Sequence, residues 1–205
     1  LKPLDSAGSV GVEIYNSFTK IQFNKISFPC LIEEYIPGNR MYHIDGLYHN
    51  GNILFSTVSE YVNGCLSFKE GNFVGSILLP TDNEICDRIK KETLSILQNL
   101  DTPNHTIPFH AEFFFFDNKI IFCEIASRVG GGKINEMIKE ATGVDLFVES
   151  IRSILYNDYN FTDNVKINNQ KYYSWILIPA KNGKLLSIGD CDIKGLEQFY
   201  KKENK

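Results

Sequence analysis

Two glutamates inside neighbouring apolar runs are the residues whose placement bears most directly on chemistry. Glu112 interrupts the aromatic run 110–116, and Glu124 interrupts the β-branched run 120–125. Both runs favour strands, and the polar residues 117–119 between them favour a tight turn. The stretch is therefore predicted to form a β-hairpin with one carboxylate on each strand.

The length of the turn decides whether the two carboxylates meet, because side chains alternate between the two faces of a strand. A two-residue loop at 117–118 sets Glu112 opposite Cys123 and turns Glu124 to the other face. A three-residue loop at 117–119 sets Glu112 directly opposite Glu124. The sequence leaves both registers open.

The second register brings two like charges about 5 Å apart on one face, which is destabilising unless a cation or a proton compensates them. A hard divalent cation such as Mg²⁺ prefers oxygen ligands and commonly takes one or two carboxylates together with substrate phosphates. Arg128 and the glycines at 130–132 follow the hairpin and add a fixed positive charge and an open backbone. The alternative is a solvated hairpin with two surface glutamates.

Composition is that of a globular protein and excludes several functional classes. The chain has 205 residues, 43% hydrophobic and 22% charged, and a net charge of −4, without the basic run typical of nucleic-acid binding. No apolar run approaches the ~18 residues of a membrane span, and no signal peptide is visible. The five cysteines are scattered without a CxxC pair, which predicts reduced thiols in a cytoplasmic protein rather than zinc or disulfide sites.

A loop of small residues near the start of the chain is a candidate phosphate-binding segment. Ser6, Gly8, Ser9 and Gly11 permit tight turns and close approach of the backbone, and Lys2 adds a positive charge. No Gly-Lys-Ser/Thr sequence follows, so the loop is not a Walker A motif. Loops of this kind are more often plain connections.

The next segment is a candidate hinge. Residues 29–36 are predicted to form a strand that ends at a Pro-Gly turn. The adjacent Glu33 and Glu34 suit a hinge that contacts the edge of a nucleotide base, while the alternative is a solvated strand end.

A second hairpin is predicted for residues 41–48 and 53–61, around the Asn-Gly turn at 50–51. His43 and Asp45 share one face of its first strand by parity. A lone histidine is more often structural than catalytic.

The remaining chain is predicted to supply scaffold. Residues 68–76 suit a mobile lid, and the sequence Thr-Asp-Asn-Glu at 81–84 is a capping box ahead of an amphipathic helix. Helices are predicted at 17–25, 85–100, 133–142, 144–156 and 193–201, and further strands at 12–15, 172–179 and 185–188. Together these elements predict an α+β fold, an antiparallel sheet with flanking helices.

Three motifs, in this order and spacing, resemble the ATP-grasp superfamily of carboxylate–amine and carboxylate–thiol ligases. They are the loop KPLDSAGSVGV, the hinge EEYIPG and the hairpin HAEFF…FCEIASRVGGG. The chain looks most similar to ligases that join amino acids or similar small acids to amines, with a core like that of carbamoyl-phosphate synthase or biotin carboxylase. The resemblance implies a partial ATP-grasp fold, with 1–36 as the remnant of the small subdomain and 37–205 as the large C-terminal subdomain.

The resemblance also implies a role for each candidate residue. Glu112 and Glu124 match the acidic pair that holds Mg²⁺, or Mn²⁺, at the ATP phosphates, and Arg128 matches the catalytic arginine that stabilises the transferring phosphoryl group. The nucleotide would be bound by Lys2, Ser6, Gly8, Ser9, Glu33, Glu34, Tyr35, Ile36 and His43. The glycines at 130–132 would accept the substrate carboxylate.

Three departures from the family pattern limit what the resemblance implies. Many members carry Glu-x-Asn at the second metal ligand, where this chain has Ala126, so a fully coordinated second Mg²⁺ is in doubt. Many members carry a ribose-binding glutamate shortly after the hinge. This chain has Asn-Arg-Met at residues 39–41 instead, so the ribose would be contacted by His43 or water. An N-terminal domain and half of the small subdomain would lie ahead of Leu1.

The resulting expectation is the ATP- and Mg²⁺-dependent portion of a ligase that activates a carboxylate as an acyl phosphate for attack by an amine. Because the chain starts at Leu1 without an initiator methionine or a leader, it is expected to be a C-terminal fragment that is inactive alone. Its partners would be the missing N-terminal domain and small-molecule carboxylate and amine substrates, with a homodimer left open and no nucleic acid or membrane. The alternatives are a non-catalytic ATP-binding module and a structural α+β domain.

Overall fold

A six-stranded antiparallel sheet with helices on both faces is the main structure of the chain. The computed structural model describes residues 1–6, 8–26, 29–38, 40–68, 71–156, 159–162, 165 and 171–179. The strands are β1 (Lys2–Pro3), β2 (Cys30–Leu31), β3 (Met41–His49), β4 (Asn52–Tyr61), β5 (Val74–Leu78), β6 (Ile107–Phe116), β7 (Lys119–Ala126) and β8 (Ser174–Leu177). The helices are α1 (Glu84–Leu97), α2 (Ile134–Thr142) and α3 (Leu146–Leu155), with 3₁₀ turns at Phe18–Lys20, Phe23–Lys25 and Cys65–Phe68.

The strand order in the large sheet is β7-β6-β3-β4-β5-β8, and every pair of neighbours is antiparallel. Strands β1 and β2 form a separate two-stranded sheet. The predicted α+β class, an antiparallel sheet with flanking helices, is confirmed. The division into 1–36 and 37–205 stays a prediction. Of the described helices, none is long and apolar enough to cross a membrane.

Side chains alternate between the two faces of the central strand β3, and each face contributes to a separate part of the core. Tyr42 and Ile44 face α1 and belong to a buried cluster that contains Ile89 and Leu97 of that helix. Leu47, on the opposite face, packs in a second cluster with residues of α2 and α3. The same strand therefore supports helices on both sides, as a two-sided core requires.

The helix ends follow local capping chemistry. The Asn83 side chain accepts a hydrogen bond from the backbone N–H of Ile85, so α1 begins at Glu84. The predicted capping box, which required Thr81 as the N-cap, is wrong because Asn83 lies closer to the first orphan N–H groups. Helix α2 ends as predicted at Gly143, whose φ of 80° lies in the left-handed region.

Several predicted elements are shorter or different. The predicted helix at 17–25 is two 3₁₀ turns, in which Phe18 and Phe23 pack on each other at 5.5 Å rather than on a core. The predicted strand at 12–15 is absent, and that at 29–36 is reduced to β2, because its partner β1 offers two residues for pairing. The predicted lid 68–76 includes the start of β5, which is paired on both edges. The predicted elements at 185–188 and 193–201 lie outside the described residues.

Candidate active site

The hairpin β6–β7 turns through two residues. Asp117 and Asn118 have φ values of 50° and 57°, and Phe116 pairs with Lys119. Two positive φ values are the signature of a type I′ turn, which suits the twist of a tight hairpin. The three-residue loop considered from the sequence is therefore wrong.

A β-bulge nevertheless sets the two glutamates opposite each other. Phe113 pairs with Phe122, whereas the next pair along is Glu112 with Glu124, so Cys123 is an extra residue in β7. A bulge shifts the register by one residue without changing the turn. The pairing of the two carboxylates is observed, although by a route that neither loop length predicted.

The bulge collects three potential metal ligands in one pocket. One ligand atom from each of Glu112, Cys123 and Glu124 lies within 4.8 Å of the others. Burial, together with the charge of Glu112, raises the pKa of the Cys123 thiol to about 12, so the thiol is protonated at neutral pH. The two carboxylates are therefore the groups in this pocket that suit a hard cation.

A positively charged side chain already lies against this pocket. The ammonium of Lys2 is 3.0 Å from Glu124 Oε2 and 3.5 Å from Glu33 Oε2. Burial lowers the pKa of Lys2, but its contacts with Glu124 and Glu33 raise it above its ordinary value overall. The ion pair connects the small sheet β1–β2 to the hairpin, and it shows that the Glu124 carboxylate has a positive charge beside it. The residues present therefore fit Mg²⁺.

Behind Glu112 lies a buried chain of hydrogen-bonded histidine and aspartate side chains that come from two strands. Asp45 Oδ2 lies 2.6 Å from His43 Nδ1, and Asp45 Oδ1 lies 2.8 Å from His110 Nδ1. His110 Nε2 lies 3.4 Å from Glu112 Oε1. A histidine between two carboxylates donates from both nitrogens, so we assign His110 as the imidazolium form.

The network keeps Glu112 ionised. Burial lowers the pKa of His110, but the carboxylates of Asp45 and Glu112 raise it to about 10. Burial raises the pKa of Glu112, but the contact with His110 and the Tyr61 hydroxyl bring it below its ordinary value. Glu112 therefore offers a charged carboxylate to a cation although it is largely buried.

Two more side chains contact Glu112 from β4 and the 3₁₀ turn that follows it. The Tyr61 hydroxyl donates a hydrogen bond of 2.7 Å to Glu112 Oε1, and Cys65 Sγ lies 3.7 Å from the same oxygen. The Ser9 hydroxyl donates to the carbonyl of Cys65 at 3.3 Å. The predicted phosphate loop therefore contacts a residue that touches the predicted metal ligand.

The other predicted residues of the loop and hinge lie on the surface. Ser6 donates to the carbonyl of Val10 at 2.6 Å, and Gly8 has a φ of 61°, so the segment is a self-bonded turn. Glu34 and Tyr35 are exposed, and Ile36 is half-buried. No described contact joins these hinge residues to the carboxylate pair, and their nucleotide-binding roles stay predictions.

Arg128 and His43 differ in how well they fit their predicted roles. Arg128 is exposed just beyond the end of β7, and its Nη1 donates to the carbonyl of Val129 at 3.1 Å. His43 is fully buried and hydrogen bonded to Asp45, a geometry that does not favour contact with a ribose. The ribose role of His43 stays a prediction without support from its position.

Sequence reasoning missed four residues that contact the site, namely Tyr61, Cys65, His110 and Cys123. One signal was available, because His110 precedes Glu112 by two residues and alternation puts both on one face. Cys123 could not be identified as a site residue without knowing that β7 contains a bulge at this position. Tyr61 and Cys65 come from another part of the chain and are brought to Glu112 by the assembly of the sheet.

Comparisons with known proteins identify relatives over part of the chain. An L-arginine-specific L-amino acid ligase from Bacillus subtilis is 30% identical over 147 residues, which are 70% of this chain and 34% of that protein. The crystal structure of an L-amino acid ligase from Bacillus licheniformis is 21% identical, with a TM-score of 0.46, and the match covers 57% of this chain and 30% of that chain. No protein-family model matches the chain. The chain is homologous to an ATP-grasp L-amino acid ligase and spans about a third of the length of that relative.

Proposed function

We propose that this chain, a homologue of the ATP-grasp L-amino acid ligases, is the part of an ATP- and Mg²⁺-dependent ligase that activates a carboxylate as an acyl phosphate for attack by an amine. The observation that carries the proposal is the pairing of Glu112 with Glu124 in a pocket that already accepts the ammonium of Lys2. The complete enzyme includes residues beyond this chain and acts in the cytoplasm on small-molecule carboxylates and amines.

The chemistry requires positive charge where two anions meet. A substrate carboxylate that attacks the terminal phosphate of ATP must approach a group that is itself negatively charged. Glu112 and Glu124 would hold Mg²⁺, which would supply positive charge at the phosphates of ATP. The ammonium of Lys2 and the guanidinium of Arg128 add fixed positive charge near the same strand, and His110 keeps Glu112 ionised.

The acyl phosphate is then attacked by the amine, and the phosphate leaves with the electron pair of the broken C–O bond. Water competes with the amine for this intermediate, so the site must be covered during turnover. The loop that contains Ser6, Gly8 and Ser9 suits this role because it already contacts Cys65, which touches Glu112.

The test is ADP release by the complete protein that contains this chain, supplied with ATP, Mg²⁺ and a mixture of L-amino acids that includes L-arginine, the substrate in the relative's name. ADP is expected only when amino acids are present. Glu112→Gln and Glu124→Gln are each expected to lower kcat by a factor of about 100 to 1,000, since each removes charge from the site. Glu92→Gln, on the exposed side of α1, is the matched control and should retain full activity.

A second candidate function is ATP binding without turnover. Ala126 favours it, because it stands where the family resemblance expects an asparagine ligand and its methyl group cannot bind metal. Tight ATP binding by the complete protein, with no ADP release under any amino-acid mixture, would support this module and contradict the ligase. The 205 residues alone are expected to be inactive in the same assay.

A further inference from the structure

Two cysteines beside the carboxylate pair have no role in the proposed ligase chemistry. Cys65 belongs to the 3₁₀ turn that follows β4, and Cys123 is the extra residue of the bulge in β7. The scattered cysteines form no zinc pattern in the sequence, yet the fold brings both thiols to Glu112. Two thiols and the carboxylates of Glu112 and Glu124, from three segments of the chain, therefore lie together.

The distances within this group match those between the ligands of one metal ion. Cys65 Sγ lies 3.7 Å from Glu112 Oε1 and 3.9 Å from Glu112 Oε2. In a tetrahedral zinc site, with Zn–S and Zn–O bonds of about 2.3 and 2.1 Å, a sulfur and an oxygen ligand lie about 3.6 Å apart. The ligand atoms of Glu112, Cys123 and Glu124 lie within 4.8 Å of one another, and side-chain movements of roughly 1 Å bring them to this spacing.

The surroundings suit a metal ligand at Glu112 and leave a path for a cation to enter. The Tyr61 hydroxyl lies 2.7 Å from Glu112 Oε1, and His110 Nε2 lies 3.4 Å from the same oxygen. Contacts of this kind fix the orientation of a ligating carboxylate. The side chain of Glu124 is 44% exposed, so a cation can enter from solvent on its side and displace the ammonium of Lys2.

Sulfur ligands change which cation the group prefers. Mg²⁺ takes oxygen ligands, whereas Zn²⁺ and Cd²⁺ also bind thiolates tightly. Because burial raises the pKa of the Cys65 and Cys123 thiols, each is protonated until a cation binds, and coordination then passes the S–H proton to solvent. Four protein ligands complete a tetrahedral site and leave no open position for a substrate.

We propose that Cys65, Glu112, Cys123 and Glu124 form a site for a thiophilic divalent cation of the Zn²⁺ and Cd²⁺ class, which excludes Mg²⁺ from the carboxylate pair while it is bound. The site itself does not require ligase chemistry, and only its competition with Mg²⁺ rests on the proposed function. The two cysteines make the selection, because the carboxylates alone serve a hard cation.

The test is titration of the complete protein that contains this chain, reduced and free of metal, with Cd²⁺ in the absence of nucleotide. Thiolate ligation gives an ultraviolet charge-transfer band that carboxylate ligation does not give. Cadmium NMR of the wild type counts the sulfur ligands without any substitution. The tightest Cd²⁺ bound by the wild type is expected to show the band and two sulfur ligands.

Variants assign the sulfur ligands to this group. Cys65→Ser and Cys123→Ser should each weaken Cd²⁺ binding by at least about tenfold and remove about half of the band, since each lacks one of the two sulfurs. Cys86→Ser is the matched control and should change neither, because Cys86 is half-buried against the α1 cluster and bonded to the carbonyl of Pro80. All three variants should bind Mn²⁺ within about twofold of the wild type, since its ligands are the carboxylates.

Several results would overturn the inference. Cd²⁺ that does not bind, that binds without a charge-transfer band, or whose band both serine variants retain would mean that these thiols are not ligands. If the serine variants lose Mn²⁺ as well, they have lost the structure of the pocket, and the number of sulfur ligands in the wild type decides.

Activity separates this inference from the proposed ligase. Zn²⁺ should inhibit amino-acid-dependent ADP release, and Cys123→Ser should need at least about tenfold more Zn²⁺ for the same inhibition. Absence of ADP release with the sulfur-ligated Cd²⁺ present overturns the ligase and leaves the thiophilic site. ADP release by a protein that binds no Cd²⁺ through sulfur overturns the site and leaves the ligase.

Discussion

The two faces of the large sheet use the same strands and both carry an apolar cluster, but buried charged side chains lie at the centre of one face. On the face toward α1, Phe109 and Ile44 are completely buried in an apolar cluster. On the other face, Asp45 and His110, their immediate neighbours, are equally buried but charged. The first face stabilises the fold through the hydrophobic effect, whereas the second combines the apolar cluster around Leu47 with buried charges, which cost stability unless they are paired. Substitutions on the two faces should therefore fail in different ways.

The largest effect is expected on the apolar face. Phe109→Ala should lower the free energy of unfolding by about 3–5 kcal/mol, because it removes a fully buried ring and leaves a cavity against Gly46. Denaturant unfolding followed by circular dichroism measures the change. Phe116→Ala, at the end of β6 where the ring is 43% exposed, is the control and should cost less than half as much. Equal losses would contradict the assignment of the core to the α1 face.

A somewhat smaller loss is expected when the charged face loses its central carboxylate. Asp45→Asn should cost ~3 kcal/mol at neutral pH, since it leaves the His110 charge without its best partner. Burial raises the pKa of Asp45, but the two imidazoles lower it well below its ordinary value overall. A carboxyl with a lowered folded-state pKa stabilises the protein above its unfolded-state pKa and loses this contribution as the pH falls toward the folded-state value.

The difference in unfolding free energy between wild type and Asp45→Asn should therefore shrink below about pH 4, where only the wild type loses the contribution of the Asp45 carboxylate. Urea unfolding at a series of acidic pH values provides the measurement. Asp82→Asn, an exposed site ahead of α1, should show no such dependence. A difference that does not shrink below about pH 4 would mean that Asp45 is not held as a carboxylate.

The same chemical change can be made on both faces with tyrosines. Tyr61→Phe removes a donor to the Glu112 carboxylate and should cost about 2 kcal/mol, as expected for a hydrogen bond to a charged group. Tyr42→Phe, on the α1 face, removes a contact with the partly exposed Arg40 and should cost less than about 1 kcal/mol. Thermal unfolding of the two variants side by side tests the contrast, and a larger loss for Tyr42→Phe would reverse it.

The smallest effect concerns the edge of the charged face. Lys2→Gln removes the ammonium from Glu124 and should strengthen binding of Mn²⁺, in the absence of nucleotide, by about two- to fivefold, since the pair is partly solvated. Calorimetric titration with Mn²⁺ measures the change, and Lys90→Gln on α1 is the control. Unchanged affinity would indicate that Lys2 and the metal do not compete for the carboxylates.

Local sequence signals were sufficient for most elements. The Asn-Gly turn fixed the β3–β4 hairpin, and Gly143 fixed the end of α2, because both depend on residues with strong backbone preferences. The short elements were predicted less well. The segment 17–25 and the strand β2 have too little partner surface to complete the helix or strand that their composition favours.

The candidate site was predicted in its two glutamates but not in its geometry. Glu112 and Glu124 stood out because carboxylates are unusual in apolar strands, and the sequence pattern gave two registers for them. The observed register combines the short turn with a bulge at Cys123, which no alternation pattern contains. The roles that the family resemblance implies for Arg128, the hinge and His43 stay predictions.

The sequence by itself determined which of the longer segments form strands and helices, and which carboxylates lie in the β6–β7 hairpin, because these depend on period and turn chemistry within a few residues. Tertiary structure decided that Asp45 meets His110, 65 positions away, and that Lys2 reaches Glu124. Alternation along a strand predicts which face of the sheet a side chain takes, but not which side chain lies next to it. That neighbour depends on the order in which distant strands join the sheet.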